Sequence, residues 1–351
     1  EAYEEDGFTK HRTKEDFVQP SSDDPALDKR RRILYDAHKP KEHRGGDAYW
    51  EQVWRPCVEH QEMSPEDWAA ALSSFSSTKS GGPTELKASV IKALDAVVQD
   101  ELRLFCNQLI RCRVMPHAAL VAAMAPLHKK KTKPHTLTNI RPISLCEVLV
   151  KIISKHHMRH INMVIQQHPS IFGKMQAAFV PGKGTEIPLL SLELAIEYAR
   201  KFRKTLWSTL HDIRKAFDRA PFHSQEVALR RVHLPEFLID HVRECFGNGT
   251  TYVRTEYGDT DPYPVECGVR QGAVMAPFVF VCFMEPCEAC LGVYAGFTVE
   301  TDDNGNSSFT LHGFLFCDDL NNLSGTYVGI TQKIVMTAEF LAFQHMSMAA
   351  E

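Results

Sequence analysis

The sequence predicts an α+β fold, an antiparallel sheet backed by helices on one side, and three observations carry that expectation. Short apolar or alternating strands recur between helical stretches of 11 to 22 residues rather than alternating with them one for one. Two pairs of strands close through turn-forming tips, HKKKTKPH at 128–135 and DDNGN at 302–306. A run from about 273 to 291 is apolar on nearly every face, as a helix in the middle of a core must be.

The elements follow in order. Residues 1–46 are rich in Asp, Glu, Lys and Arg and read as a loosely ordered polar linker with short helices. Ser64-Pro65 opens a helix over 64–75, with Ser able to cap and Pro suited to the first turn. SSTKSGGPTE at 76–85 is a loop by composition, and two helical patterns follow at 86–98 and 100–113, the second closed before Met115-Pro116. The apolar run 118–127 reads as a strand, and IRPISL at 140–145 as its return, giving a hairpin with a basic tip. Helices are expected over 146–167 and 186–204. A strand at 205–213 ends on Asp212, and helices at 223–233 and 235–246 come next. TTYVRTEYG and YPVECGVRQG read as two strands around a Gly-Asp turn, before the apolar helix. Residues 294–325 supply three strands, with DDNGN between the first two, and 329–345 is an amphipathic helix.

Charge and cysteine content narrow the class. The 351 residues carry a net charge of −4, yet 101–205 holds 17 Lys and Arg against 5 Glu and no Asp, a net of +12. A basic middle between acidic flanks marks a polyanion-binding face. No apolar run approaches the roughly 20 residues of a membrane span, and the first residues are not a signal peptide. The ten Cys are scattered, which suits reduced thiols and an intracellular site, nuclear, cytoplasmic or both. Cys287 and Cys290 form a CxxC with no second pair at zinc spacing, and read as thiols within the core helix.

Two adjacent carboxylates, Asp318 and Asp319 in FLFCDDLNNL, interrupt an apolar strand. Turn propensity explains Asp at a hairpin tip. A third carboxylate, Asp212, closes another apolar strand in HDIRKAFDRA. Three clustered carboxylates repel and raise one another's pKa unless a cation joins them. Mg²⁺ takes such hard oxygen ligands together with substrate phosphates.

The ordered motifs resemble those of a reverse transcriptase of the non-LTR, LINE-like retrotransposon type, with group II intron enzymes as relatives. TLHDIRKAFDRAPFHS resembles the first catalytic motif, GVRQGAVMAPFVF the motif at the template and incoming nucleotide, and FLFCDDLNNL the two-aspartate hairpin. Upstream, SGGPTELKASVIKAL, PLHKKKTKPHTLTNIRPISL and QAAFVPGKGTEIPLLSLEL resemble the successive fingers motifs, so the likeness covers roughly 76–351. It implies a right-hand polymerase fold: an N-terminal extension at 1–75, fingers at 76–205 and an incomplete palm at 206–351, with the thumb missing.

By the same resemblance, Asp212, Asp318 and Asp319, with the backbone carbonyl of Ile213, are implied to bind two Mg²⁺ ions, Mn²⁺ being the substitute ion. Two such ions about 3.5–4 Å apart stabilise the attacking and leaving oxygens of a phosphoryl transfer. Phe217 matches the bulky position beneath the incoming sugar, where a ring favours dNTP over NTP. Gln271 and Gly272 are implied to line the nucleotide and template pocket, with Pro277 and Gly182 at matching motif positions. Lys129 or Lys130, with Arg141, is implied to clamp the triphosphate, Lys as a point charge and Arg as a bidentate donor.

The partners implied are an RNA template, a DNA primer and dNTPs, with no membrane. The rest of the element polyprotein, including thumb and endonuclease, is expected on a longer chain. Asp218 reads as structural, a cap for the following helix. Thr84 stands where the family usually has Asp, which points to a lost supporting contact, and Cys317 stands where Ala is commoner. LAFQHMSMAAE resembles the start of the next palm motif, ahead of its Lys. An RNA-dependent RNA polymerase is the runner-up, disfavoured by Phe217. A degenerate or domesticated copy that binds nucleic acid without polymerising is the alternative from another class.

Overall fold

The computed structural model describes residues 24–76, 81–129, 136, 139–301 and 307–348. The first helix, α1 (Pro25–His38), is capped by the Asp24 side chain and has Pro at its start. It is no loose linker. Leu34, Ala37 and His38 are buried, and the His38 ring lies 4.8 Å from Phe343 and 5.9 Å from Phe340. Its Nδ1–H donates to Leu34 O and its Nε2 accepts from the Gln344 amide, so both ring nitrogens are satisfied inside the core. The polar composition of 1–46 concealed this because only one narrow face of α1 is apolar. In α2 (Gly46–Glu59) the buried residues are Trp50, Val53, Trp54 and Cys57, one helical stripe, and Trp54 Nε1 donates to Val232 O at 2.9 Å. The expected Ser-Pro start opens α3 (Pro65–Ser73), where Ser64 and Asp67 form a reciprocal capping box.

The next elements build a second core. Asp95 caps α5 (Ala96–Cys112) and separates it from the short α4 (Ala88–Ala93). The apolar run expected as one strand begins with a single helical turn, α6 (His117–Leu120), before β1 (Ala122–His128), because Pro116 sets the chain into a helix start. β2 (Ile140–Leu145) returns antiparallel to β1, with Leu127 opposite Arg141. The tip of this hairpin, including Lys130, lies outside the described residues. α7 (Val148–Gln167) crosses both cores: Ile152 and Ile153 pack in the second, Ile161, Val164 and Ile165 in the main one. α8 (Glu186–Lys201) sets Ala195 and Ala199 against Phe297 and Leu323.

The remaining elements surround one helix. β3 (Trp207–His211) leads through α9 (Ala216–Arg219) to α10 (Phe222–Arg231) and α11 (Glu236–Gly247). β4 (Thr250–Thr255) pairs parallel to β1, and the short β5 (Gly258–Asp259) and β6 (Tyr263–Pro264) pair with β4. The strand expected over 263–272 stops at Pro264. Gly268 and Gly272 take φ values of +99° and +108°, which no ladder allows. Next comes α12 (Ala276–Leu291), buried along almost its whole length, with α1, α10 and the last helix, over 327–343, packed against it. Cys287 and Cys290 are buried there; burial pushes the Cys290 thiol up to about 12, and all ten cysteines are free.

Three strands were expected after α12, and the described residues form four: β7 (Phe297–Glu300), β8 (Ser308–Leu311), β9 (Gly313–Phe316) and β10 (Asp319–Ser324). The middle run breaks before Gly313, where a Cβ would meet Asn321 O at 2.1 Å. β7 and β8 pair as a hairpin of their own, its DDNGN tip lying outside the described residues. β9 joins the antiparallel sheet β3-β10-β9. α13 (Tyr327–Phe343), capped by Thr326, covers one face of that sheet, where Asn322 donates to Thr337 Oγ1. None of the described helices is long and apolar enough to cross a membrane.

Candidate active site

The β3–β10 register brings two of the three aspartates together. Leu320 pairs with His211, so the next step outward sets Asp319 opposite Asp212, across about a hundred residues of sequence. Asp318 occupies the turn between β9 and β10, whose entry residue Cys317 takes φ 62°. Alternation decides which face the carboxylates use. His211 and Asn322 point toward α13 and bond to each other at 3.2 Å, so Asp212 and Asp319 project from the opposite face. That face is open at the aspartate end, where Leu210 is 82% exposed, and is covered farther along, where Leu323 packs against α8.

The turn is held from below. Residues 175–177 lie parallel to β9, with Leu315 N–H donating to Met175 O and Ala177 N–H to Leu315 O, both at 2.9 Å. The buried Gln176 side-chain Oε1 accepts from Cys317 N–H and Ala178 N–H, fixing the backbone one residue before the aspartate pair. Gln176 was not singled out from the sequence. Its only signal there is a polar residue next to an Ala-Ala-Phe run, and the contact spans 141 positions.

Electrostatics tests the fit of a cation. The Asp318 carboxyl is pushed up, first by burial and then by the charges of Asp319 and Asp212. Oxygen-only donors that destabilise one another's charge suit a hard divalent ion, and the residues present fit it. Ile213, beside Asp212, is buried and pairs with Met348, while Arg214 N–H donates to Ser347 O at 3.0 Å.

A second group of expected residues gathers next to these. Phe217 on α9 stacks on Phe280 of α12, with ring centroids 4.4 Å apart and planes 11° from parallel, so one ring face is core and the residue is half-buried. Its carbonyl accepts from Val269 N–H at 2.6 Å, which draws the 265–272 loop against α9. The next residue corrects an expectation. Asp218 caps no helix: α10 starts at Phe222 with Pro221 at its N-cap, and Asp218 Oδ1 accepts from the Gln271 amide at 3.1 Å. Burial raises the Asp218 carboxyl, opposed by the Gln271 bond and by the Lys215 and Lys129 charges, which places Lys129 within electrostatic reach of this pair.

Gly272 presses on the other side, where a Cβ would meet Ser144 O at 2.6 Å, and Ser144 N–H donates to Gln271 O. The loop is thus clamped between α9 and β2, the strand that carries the exposed Arg141. Thr84 corrects a second expectation. Its N–H and hydroxyl both donate to the Glu147 carboxylate, at 2.7 and 2.8 Å, so the supporting contact is made where an Asp would repel.

Two expected residues stand apart. Gly182 takes φ +78° in a turn from Val180 to Lys183, behind Pro181, and so serves backbone shape. Pro277, in the first turn of α12, lines a separate cavity of about 440 Å³ with Phe179, Asp67 and Arg159.

Residues 127–351 match the family "Reverse transcriptase (RNA-dependent DNA polymerase)". That span is well over half of the chain, and the chain belongs to this family, on its non-LTR retrotransposon side. Among curated proteins it is 24% identical over 305 residues to a retrovirus-related Pol polyprotein from the type-2 retrotransposable element R2DM of Drosophila melanogaster, covering 87% of this chain and 27% of the relative. It is 25% identical over 215 residues to the corresponding R2 polyprotein of Popillia japonica, 61% of this chain and 29% of the relative. It is also 24% identical over 218 residues to the probable RNA-directed DNA polymerase from transposon BS of Drosophila melanogaster, 62% of this chain and 24% of the relative. The chain therefore spans about a quarter of the length of the curated relatives it matches.

Proposed function

We propose that the chain extends a DNA primer with dNTPs on an RNA template, its residues 76–205 acting as fingers and 206–351 as palm. The observation that carries this reading is the register that sets Asp212 opposite Asp319, with Asp318 in the adjoining turn, on an open sheet face. Asp212, Asp318, Asp319 and the Ile213 carbonyl would hold two Mg²⁺ ions, which when bound neutralise developing charge on the attacking and leaving oxygens. The protein's own residues do the rest. Gln176 fixes the backbone of the aspartate turn. Asp218 orients the Gln271 amide, and Gly272 lets that loop lie against β2. Lys129 and Arg141 approach the pocket from the β1–β2 side as partners for a triphosphate. The face that exposes Leu210 receives the primer end.

Primer extension tests this reading, comparing RNA with DNA templates and dNTPs with NTPs. Expected is Mg²⁺-dependent extension on RNA with dNTPs, by the protein or by a polypeptide of its relatives' length. Salt-sensitive binding with no extension in either would overturn it in favour of a nucleic-acid binder.

The free ring face of Phe217 gives a second expected result. Phe217→Val should raise ribonucleotide incorporation relative to dNTPs by roughly 10- to 100-fold, as removing a steric exclusion of one or two heavy atoms does. An unchanged sugar preference would count against the gate. Gln176→Met removes the acceptor of two backbone N–H groups beneath the aspartates. A lost buried hydrogen bond of about 1–3 kcal/mol should appear as roughly a tenfold fall in kcat with dNTP KM little changed. A KM effect alone would contradict the positioning role.

A further inference from the structure

A cluster outside the candidate active site has the makings of a metal centre. Asp67 in the first turn of α3 faces His156 and His160, one turn apart on α7, with ligand atoms all within 4.8 Å of one another and all three residues buried. The hydrogen bonds around it leave a conflict. His156 Nε2 is 3.1 Å from Gln61 O, which fixes that nitrogen as the donor and leaves Nδ1 a lone pair. Nδ1 lies 4.0 Å from Asp67 Oδ2, with no hydrogen-bond partner among the described residues. A lone pair on a buried ring thus faces a carboxylate in the interior. His160 Nε2 lies 3.3 Å from Asp67 Oδ1, and neither of its ring nitrogens has a well-aligned hydrogen bond among the described residues.

The surroundings are those of an oriented ligand set. Ser64 N–H and Oγ–H both donate to Asp67 Oδ2, at 3.2 and 2.7 Å, so the capping box fixes the carboxylate. The carbonyl accepting from His156 fixes that ring in the same way, as outer partners do around bound metals. Arg159 is the competitor: its Nη1 donates to Asp67 Oδ1 at 3.0 Å and takes part of the charge a metal would use.

We propose that Asp67, His156 Nδ1 and His160 Nε2 bind one divalent cation of the zinc class. Two imidazoles and a carboxylate are N/O donors suited to Zn²⁺ rather than Mg²⁺. Ligand atoms about 3.3 Å apart are expected around 2.0–2.1 Å bonds, so one ring must swing inward by roughly an ångström. The fourth position opens to the 440 Å³ cavity that Asp67, His156 and Arg159 help line. Bound there, the ion pins α3, which precedes the family-matched span, to α7 within it.

Zinc binding by the metal-stripped protein tests this, read by equilibrium dialysis and by melting temperature rather than by polymerisation. The wild type should take up one Zn²⁺ per chain and melt higher with it. His160→Gln should weaken uptake by roughly a hundredfold or more, since even an outer-shell loss costs 10–100-fold. Arg159→Met should tighten it by freeing Asp67. No stoichiometric zinc in the wild type, or equal uptake by His160→Gln, overturns the site. Should His160→Gln fail to fold by circular dichroism, Arg159→Met decides: tighter uptake supports the site and unchanged uptake overturns it.

Discussion

Asp318→Asn is expected to abolish Mg²⁺-dependent primer extension while leaving the fold as stable as before, or slightly more so. Both halves follow from one feature. The Asp318 carboxyl is partly buried beside Asp319 and Asp212, and each of the three effects makes its charge unfavourable without a cation. Asparagine keeps the size and removes the repulsion, so the melting temperature should hold. It also removes an anionic oxygen from the set that would hold the metal. Metal stabilisation of transition-state charge is worth several kcal/mol, and about 1.4 kcal/mol is tenfold in rate, so a loss of about a thousandfold or more is expected. Retained extension would remove Asp318 from the site. A large fall in melting temperature would mean the aspartate is structural.

The largest expected effect on stability lies elsewhere. Glu285, on the core helix α12, is 5% exposed and takes two cations: Lys41 Nζ at 2.6 Å and the buried Arg231 guanidinium. Arg231 also donates to Lys39 O, so this one carboxylate ties the segment after α1 to α10 and α12. Glu285→Ala takes the carboxylate partner from both cations, of which Arg231 is buried and Lys41 largely so. Breaking a buried pair from one side costs about 3–5 kcal/mol, and that loss is expected in urea denaturation. A change under about 1 kcal/mol would show that the cations relax to solvent. The pair is no proof of net stabilisation, since an apolar replacement of all three partners can be as stable.

What the sequence made legible was mostly local or periodic. Ser64-Pro65 and the apolar run before Leu291 announced their helices because capping and burial act within a few residues of chain. The β1–β2 hairpin and the aspartate turn were legible for the same reason. Losses began where tertiary contacts override composition. Six of the fourteen residues of α1 are charged, and only the burial of Leu34 and the partners of His38 on α13 show that it packs. A strand was expected over 263–272, but two glycines with positive φ make it the loop that carries Gln271.

The candidate site divides the same way. Asp212, Asp318 and Asp319 were legible as motifs, whereas their alignment needs the β3–β10 register. Asp218 reads as a cap in the sequence because its partner, Gln271, is 53 residues away. Asp67 with His156 and His160 joins positions some ninety apart, and only the helical spacing of the two histidines was visible.

The central claim is that Asp212 and the 318–319 pair form one metal-holding set, and single-nucleotide incorporation under Mg²⁺ titration tests it most directly. On an RNA-templated DNA primer, the protein carrying Asp212 should incorporate one dNTP at a rate that rises and saturates with Mg²⁺. Asp212→Asn should show no incorporation at any Mg²⁺ concentration, with an unchanged melting temperature. Incorporation by Asp212→Asn at the parent rate, or a rate indifferent to Mg²⁺, would contradict the account.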